Sequence, residues 1–387
     1  MEILSCENVA FKYNESTDYA ISDCTFSVKK GEKIMLCGAS GSGKSTLLRL
    51  LKRELSPRGE LSGNITIMGK DRSELSDRES AEKIGFVMQS PDSQTVCDKV
   101  SAELAFGLES FGVKSGEIQS RVGEMAAFFG IEPLYDRDIS TLSGGQKQLV
   151  ALCSVMVTDP DILLLDEPTA QLDPVAAREL LGILDRLNKE MGVTIIIAEH
   201  DPEELFDSCD KILYLAKGKT EFFGTPALTA KYFVENALEG FLPETAKAFA
   251  KLCEDLPLNV RQGRAKLEKL GVTDIPKQAV TDTERVEPYA LQCKNLWQRY
   301  EKNSPDILKG CDLSIRKGEC YGLLGSNGGG KSTLLRVICG LCKPYMGTVS
   351  LFGKKQKAYK NGSLFREMLA FLPQEPVTMF VKESVRE

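Results

Sequence analysis

A stretch near the start of this 387-residue chain returns, in register, 287 residues later. Cys6-Glu7-Asn8-Val9-Ala10-Phe11-Lys12-Tyr13 matches Cys293-Lys294-Asn295-Leu296-Trp297-Gln298-Arg299-Tyr300. Cys24 matches Cys311, Gly31-Glu32 matches Gly318-Glu319, and Lys44 matches Lys331. A constant offset from position 6 to position 44 means duplicated domains rather than scattered motifs. Whatever fold is assigned to the first copy must therefore also serve the second. The length suits two domains, each with an ample buried core.

The copies differ in extent. The second contains a glycine loop, Gly325-Ser326-Asn327-Gly328-Gly329-Gly330-Lys331-Ser332-Thr333, and later Leu372-Pro373-Gln374. In the sequence given, the first copy's later motifs have no second occurrence. We expect a complete first domain over residues 1–235 and the N-terminal half of a second over 288–387. A partly helical connector is expected over 236–287, because Thr245 to Cys253 and Val260 to Leu270 carry apolar residues at helical spacing, broken by Pro257 and Gly271.

The chemistry is densest in the first copy. Lys33 to Cys37 reads as a short buried strand and Thr46 to Leu51 opens an apolar helix. Between them lies Gly38-Ala39-Ser40-Gly41-Ser42-Gly43-Lys44-Ser45. Strand, glycine loop and helix N-terminus form the context in which this pattern cradles phosphate: glycines let backbone N–H groups converge, and the helix dipole favours an anion. Lys44 would bridge the β- and γ-phosphates, and the Ser45 hydroxyl would ligate Mg²⁺.

Ile162 to Leu165 is a continuous apolar run, as expected of a parallel strand covered on both faces. The acids that follow, Asp166 and Glu167, sit where open α/β sheets bind ligands. Asp166 would hold Mg²⁺, and Glu167 could orient and deprotonate an attacking water. Val193 to Ala198 is a second buried run, leading to His200, the single histidine of the chain. Gln89 follows a third, Gly85-Phe86-Val87-Met88. In Leu142-Ser143-Gly144-Gly145-Gln146, the serine and the glycine amides precede an apparent helix, Gln148 to Met156, and so offer another anion site.

Taken in order, the glycine loop, Leu142 to Gln146 and Ile162 to Pro168 resemble the ATP-binding cassette (ABC) ATPases. The resemblance implies an α/β P-loop fold: a RecA-like core with antiparallel β and helical subdomains, here duplicated. It makes His200 a switch residue at the γ-phosphate and Gln89 a ligand of Mg²⁺ and water. Tyr13 and Tyr300 become aromatics stacked on adenine, with core packing as the alternative. It also implies that Ser143, Gly144, Gly145 and Gln146 grip ATP held by an opposing domain, with Asp173 at the same interface, and that Thr46, Thr333 and Gln374 complete the nucleotide sites. Ser332 would be the second copy's Mg²⁺ ligand. One departure is Leu149, where the family usually has arginine.

Gln89-Ser90-Pro91-Asp92-Ser93-Gln94 and Leu104-Ala105-Phe106-Gly107-Leu108-Glu109 look like the ATPases of energy-coupling factor (ECF) importers. That branch implies uptake of a vitamin or transition-metal ion through an integral-membrane scaffold and a substrate-capturing subunit. Localisation would be peripheral, on the cytoplasmic face of the cell membrane. The tandem ATPase of a sugar importer, and a soluble cassette protein acting on ribosomes or in repair, stay open.

Bulk properties narrow the classes. Charged residues make up 27% and the net charge is -6, which argues against a non-specific nucleic-acid binder. No apolar run reaches the ~18 residues of a membrane span, and the start lacks a basic flank or long apolar region, so no signal peptide is expected. Twelve cysteines without such a signal favour free thiols in a reducing compartment. Cys339 and Cys342 have C-x-x-C spacing, but a zinc site wants four ligands, so helix packing is the reading preferred.

Overall fold

The structure is a computed structural model describing residues 1–200, 202–271, 288–302, 304–359 and 363–373. Gln374 lies outside them. The chain divides into two units, Met1–Pro276 and Lys277–Glu387.

The first unit opens with β1 (Glu2–Tyr13), β2 (Ile21–Lys29) and β3 (Lys33–Cys37), then α1 (Lys44–Leu51). There follow β4 (Gly59–Ile67), β5 (Lys70–Asp71), α2 (Asp77–Lys83) and β6 (Ile84–Val87). A helical section comprises α3 (Val100–Ser110), α4 (Ser115–Phe129) and α5 (Gly144–Met156). The chain then returns through β7 (Ile162–Asp166), α6 (Pro174–Met191), β8 (Thr194–Ala198), β9 (Lys211–Ala216) and β10 (Lys219–Gly224). It finishes with α7 (Pro226–Glu235), α8 (Glu244–Phe249) and α9 (Val260–Lys269).

Two sheets result. One is antiparallel, in the order β2-β1-β4-β5; the other runs β10-β9-β3-β8-β7-β6, parallel except for the β10 edge. Every residue of β3, β6, β7 and β8 is buried, the signature of strands covered on both faces. Their side chains alternate between two cores. Leu163, Leu165, Ile195 and Ile197 join the cluster with α3 to α6, while Ile162, Leu164, Ile196 and Ala198 join the one with β1, β2, β4 and α1. Ala198 pairs with both Leu36 and Asp166, so the segments after β3, β7 and β8 leave the sheet at one edge. Ligands bind at such an edge in α/β folds.

The expected helices lengthen or shift at their ends. The helix expected from Gln148 begins at Gly144, because Ser143 caps it: its Oγ accepts from Gln146 N at 3.3 Å, and Gln146 Oε1 accepts from Ser143 N at 3.0 Å. This reciprocal box outweighs the low helix propensity of two glycines. Helices α8 and α9 pack on the first unit. Leu242, Ala246 and Leu258 join its main core, and a Cβ on Gly263 would meet Thr245 Cγ2 at 2.7 Å.

The second unit contains β11 (Tyr289–Gln298), β12 (Leu308–Arg316), α10 (Lys331–Ile338), β13 (Met346–Leu351) and β14 (Lys354–Lys355). Its sheet order, β12-β11-β13-β14, repeats that of β2-β1-β4-β5. The irregularity between Glu7 and Ala10 recurs between Lys294 and Trp297, and Asn8 and Asn295 both sit at positive φ, 51° and 49°. The duplication thus extends to backbone detail. Cys339 caps α10, and Cys342 packs against the small core beneath it.

Candidate functional site

The first glycine loop connects β3 to α1 with Gly38, Gly41 and Gly43 at φ 152°, 76° and 103°. A Cβ on Gly38 would lie 2.2 Å from Leu215 O, so only glycine fits there. Gly43 caps α1 without any side-chain bond, which leaves first-turn amides open to an anion. Lys44, only 4% exposed, donates to Gly38 O at 2.9 Å and Ala39 O at 3.2 Å. Burial pulls its pKa down, while Glu167, Cys37, Asp166 and Glu199 oppose the shift. Ser42 Oγ is buried without a hydrogen-bond partner among the described residues. A buried lysine and an orphaned hydroxyl in one loop fit a multiply charged oxyanion.

Ser45 Oγ donates to Asp166 Oδ1 at 2.8 Å. Asp166 is 4% exposed, and desolvation raises its pKa, the Ser45 bond working the other way. A buried carboxylate beside a hydroxyl is a hard-oxygen pair suited to Mg²⁺, which commonly takes one or two carboxylates and completes its shell with substrate phosphates and water.

Glu167 follows at φ 49°, a left-handed backbone held by its N–H donating to Ala198 O at 2.9 Å. Its carboxylate contacts His200 Nε2 at 2.7 Å and accepts from Gln89 Nε2 at 2.9 Å. Lys44 Nζ stands 3.5 Å from His200 Nε2. Tyr13 donates or accepts through its hydroxyl with Thr46 Oγ1 at 2.9 Å. A cleft of about 370 Å³ is lined by Tyr13, Ser40, Gly41, Gly43, Lys44, Ser45, Thr46, Glu167 and His200, among others. Residues dispersed from position 13 to position 200 are thus brought to one place.

Ser143, Gly145 and Gln146 are not brought there; they line a separate groove of about 310 Å³ with Leu149, Ala176 and Glu179. Leu149 packs against the main core, the apolar role its residue type allows. Asp173 caps α6, its Oδ1 accepting from Val175 N and Ala176 N at 3.0 Å each. In the second unit, Lys331 donates to Gly325 O at 2.6 Å and Ser326 O at 2.8 Å, and Tyr300 pairs with Thr333 Oγ1 at 3.1 Å. Asn327 and Ser332 are exposed.

Sequence reasoning missed three supporting residues. The Gln94 side chain accepts from Met88 N at 2.9 Å and donates to Phe86 O at 3.0 Å, steadying the approach to Gln89. Buried Glu103 accepts from Val96 N at 3.0 Å and Cys97 N at 2.8 Å. Buried Glu199 accepts from Thr169. The acids had a signal: each interrupts or ends an apolar run, where an unpartnered charge is costly.

A phosphate-binding loop at the edge of a parallel sheet, with buried acids opposite and a capped glycine helix apart, defines a P-loop ATPase cassette. The chain belongs to the ABC transporter ATP-binding family, whose model, described as ABC transporter, matches residues 21–170 and 308–387. Its members bind and hydrolyse ATP, and this chain is an ATPase. A provisionally named ABC transporter ATP-binding protein of Bacillus thuringiensis subsp. konkukian is 38% identical over 380 residues, 98% of this chain and 69% of the relative. One from Streptomyces coelicolor is 34% identical over 415 residues, 98% of this chain and 72% of the relative. Among solved structures, cbiO1 from Clostridium perfringens, described as part of the ABC transporter complex cbiONQ, aligns with a TM-score of 0.56 at 32% identity, covering 68% of this chain and 98% of that one. The cassette MJ0796, a dimer in a post-hydrolysis state bound to ADP and Pi, aligns at 0.52 and 27%, covering 58% and 99%. No helix among the described residues is long and apolar enough to cross a membrane.

Proposed function

We propose that this chain is the ATP-hydrolysing subunit of an ECF-type importer, working with a separate membrane scaffold and a substrate-capturing subunit. The observation carrying the catalytic part is the Glu167 carboxylate, held between His200 and Gln89 in the cleft that Lys44 also lines. Glu167 takes the proton of the attacking water on its carboxylate. His200 Nε2 keeps that carboxylate aimed, and Gln89 holds its other oxygen. Lys44 and the loop amides bind phosphate oxygens, and Tyr13 meets the base. Ser45 and Asp166, with Gln89, would hold Mg²⁺, which when bound supplies Lewis-acid polarisation and neutralises phosphate charge.

The separate groove at Ser143 supports a two-cassette arrangement. Ser143, the Gly144 and Gly145 amides, Gln146 and Asp173 serve the triphosphate of an opposing cassette, in another chain or another copy. MJ0796 is a dimer with hydrolysis products, a precedent for that arrangement. The second loop, Gly325 to Thr333 with Tyr300, is a second nucleotide site, and Ser332 its Mg²⁺ ligand. The ECF branch is supported by cbiO1, part of a transporter complex, and by the Gln89–Gln94 and Leu104–Glu109 segments. The chain then acts peripherally, at the cytoplasmic face of the membrane.

Two measurements test this. Glu167→Gln should abolish turnover while ATP binding persists. Purified from detergent-solubilised membranes, the tagged chain should bring down stoichiometric integral-membrane subunits that alter its ATPase rate; recovery on ribosomes instead would overturn the importer reading.

A further inference from the structure

Glu199 takes no part in the mechanism above, yet it joins the two strand ends that carry it. It follows β8 directly and precedes His200. Its backbone N–H donates to Leu36 O at 3.2 Å, which ties it to the strand leading into the glycine loop. Its Oε1 accepts from both Thr169 N, at 3.0 Å, and Thr169 Oγ1, at 2.7 Å. Thr169 lies two residues beyond Glu167, in a turn closed by Ala170 N donating to Glu167 O at 3.2 Å. The carboxylate is 4% exposed.

That turn needs restraint. Glu167 sits at φ 49°, a left-handed conformation strained for an L-residue. It persists only when its surroundings hold it. Ala198 O holds the entrance of the turn and Glu199 its far side. Burying a carboxylate here is itself unfavourable: desolvation drives the Glu199 pKa to about 7, the Thr169 and His200 hydrogen bonds pull it down, and the charge of Glu167 adds to the rise. Lys44 is the cation that senses Glu199 from the loop side. A costly group that accepts two hydrogen bonds from one residue of the catalytic turn points to a role in that turn.

We propose that Glu199 is a positioning residue for ATP hydrolysis: by clamping Thr169 it fixes the turn that aims the Glu167 carboxylate at His200. The inference rests on Glu167 being the base. It is tested by steady-state ATPase kinetics and equilibrium binding of a fluorescent ATP analogue on the full chain. Glu199→Ala should lower kcat at least tenfold with KM and analogue affinity within twofold. Glu199→Gln, which keeps an acceptor oxygen, should recover a third or more of the rate. Thr169→Val should lower kcat severalfold, and the Glu199→Ala/Thr169→Val double variant should be no slower than the worse single, since both cut one link.

Unchanged kcat in Glu199→Ala, a loss confined to KM, or multiplicative losses in the double variant would each overturn the proposal. Should Glu199→Ala fail to fold, Glu199→Gln and Thr169→Val still decide it. Glu167→Gln in the same assay separates the two readings. If it retains turnover, the base assignment is wrong; if it loses turnover while Glu199→Ala does not, only the clamp is wrong.

Discussion

Gly38, Gly41 and Gly43 take φ values of 152°, 76° and 103°; Gly325, Gly328 and Gly330 take 156°, 77° and 88°. Both loops fold their lysine back onto the first two loop carbonyls, and both pair a tyrosine with the threonine one turn into the helix. Their surroundings differ. Ile34 and Cys37 are 0% and 3% exposed, whereas their counterparts Tyr321 and Leu324 are 53% and 94% exposed. Lys33–Cys37 is a strand between β8 and β9, while residues 320–324 join no strand among the described residues. Loop conformation is therefore local, set by glycine and by the lysine's own hydrogen bonds. Burial, the orphaned Ser42 hydroxyl and the facing acids come from the sheet.

The contrast would break most visibly through Glu167→Gln. If hydrolysis belongs to the loop that faces Asp166 and Glu167, turnover should fall by ~10²-fold or more, as removal of a general base does. Retention of a tenth of the rate would overturn the assignment of Glu167 as the base. Next in size is a pair of glycine substitutions. Gly38→Ala forces a Cβ into Leu215 O and should cost about 3–5 kcal/mol; Gly325→Ala, with nothing closer than 3.9 Å, should cost only backbone strain, about 1–2 kcal/mol. Hydrogen exchange of α1 and α10 amides measures both, and equal losses would erase the distinction.

pH reads out the first copy through Glu199, which stands behind its loop. Its folded pKa of about 7 lies above the unfolded 4.5, so the folded state keeps a proton that the unfolded state loses. Stability from this group is full below about pH 4.5 and is lost as pH rises through 7, by about 3 kcal/mol in all. Urea unfolding from pH 4 to pH 8 should show that loss in the parent chain and not in Glu199→Gln. The smallest effect concerns the tyrosines. Tyr13→Phe removes a half-buried hydrogen bond worth about 1 kcal/mol, and Tyr300→Phe, at a ring 54% exposed, should cost less. Denaturant midpoints of the two variants would order them.

What the sequence made legible follows the same division. The glycine loop and the strands at Lys33–Cys37 and Ile162–Asp166 depend on neighbours within a few residues. Periodicity and motif context carry such features. The start of α5 was misplaced because Gly144-Gly145 reads as loop, and only the reciprocal Ser143–Gln146 bonds reveal a helix. The contact of Glu199 with Thr169 spans thirty positions and two strands, so no local pattern announces it. Nor could composition place α8 and α9 on the first unit, since their amphipathic faces fit many partners.

The kink at Glu167 has an evolutionary side. Asparagine tolerates a left-handed backbone better than glutamate does, so a chain with Glu167→Asn would sit more comfortably in its native form while having no base to act with. At this position greater durability and inactivity lie in the same mutational direction. Drift alone would move the residue toward a sturdier, idle protein, and only continued demand for turnover would keep the acid in place.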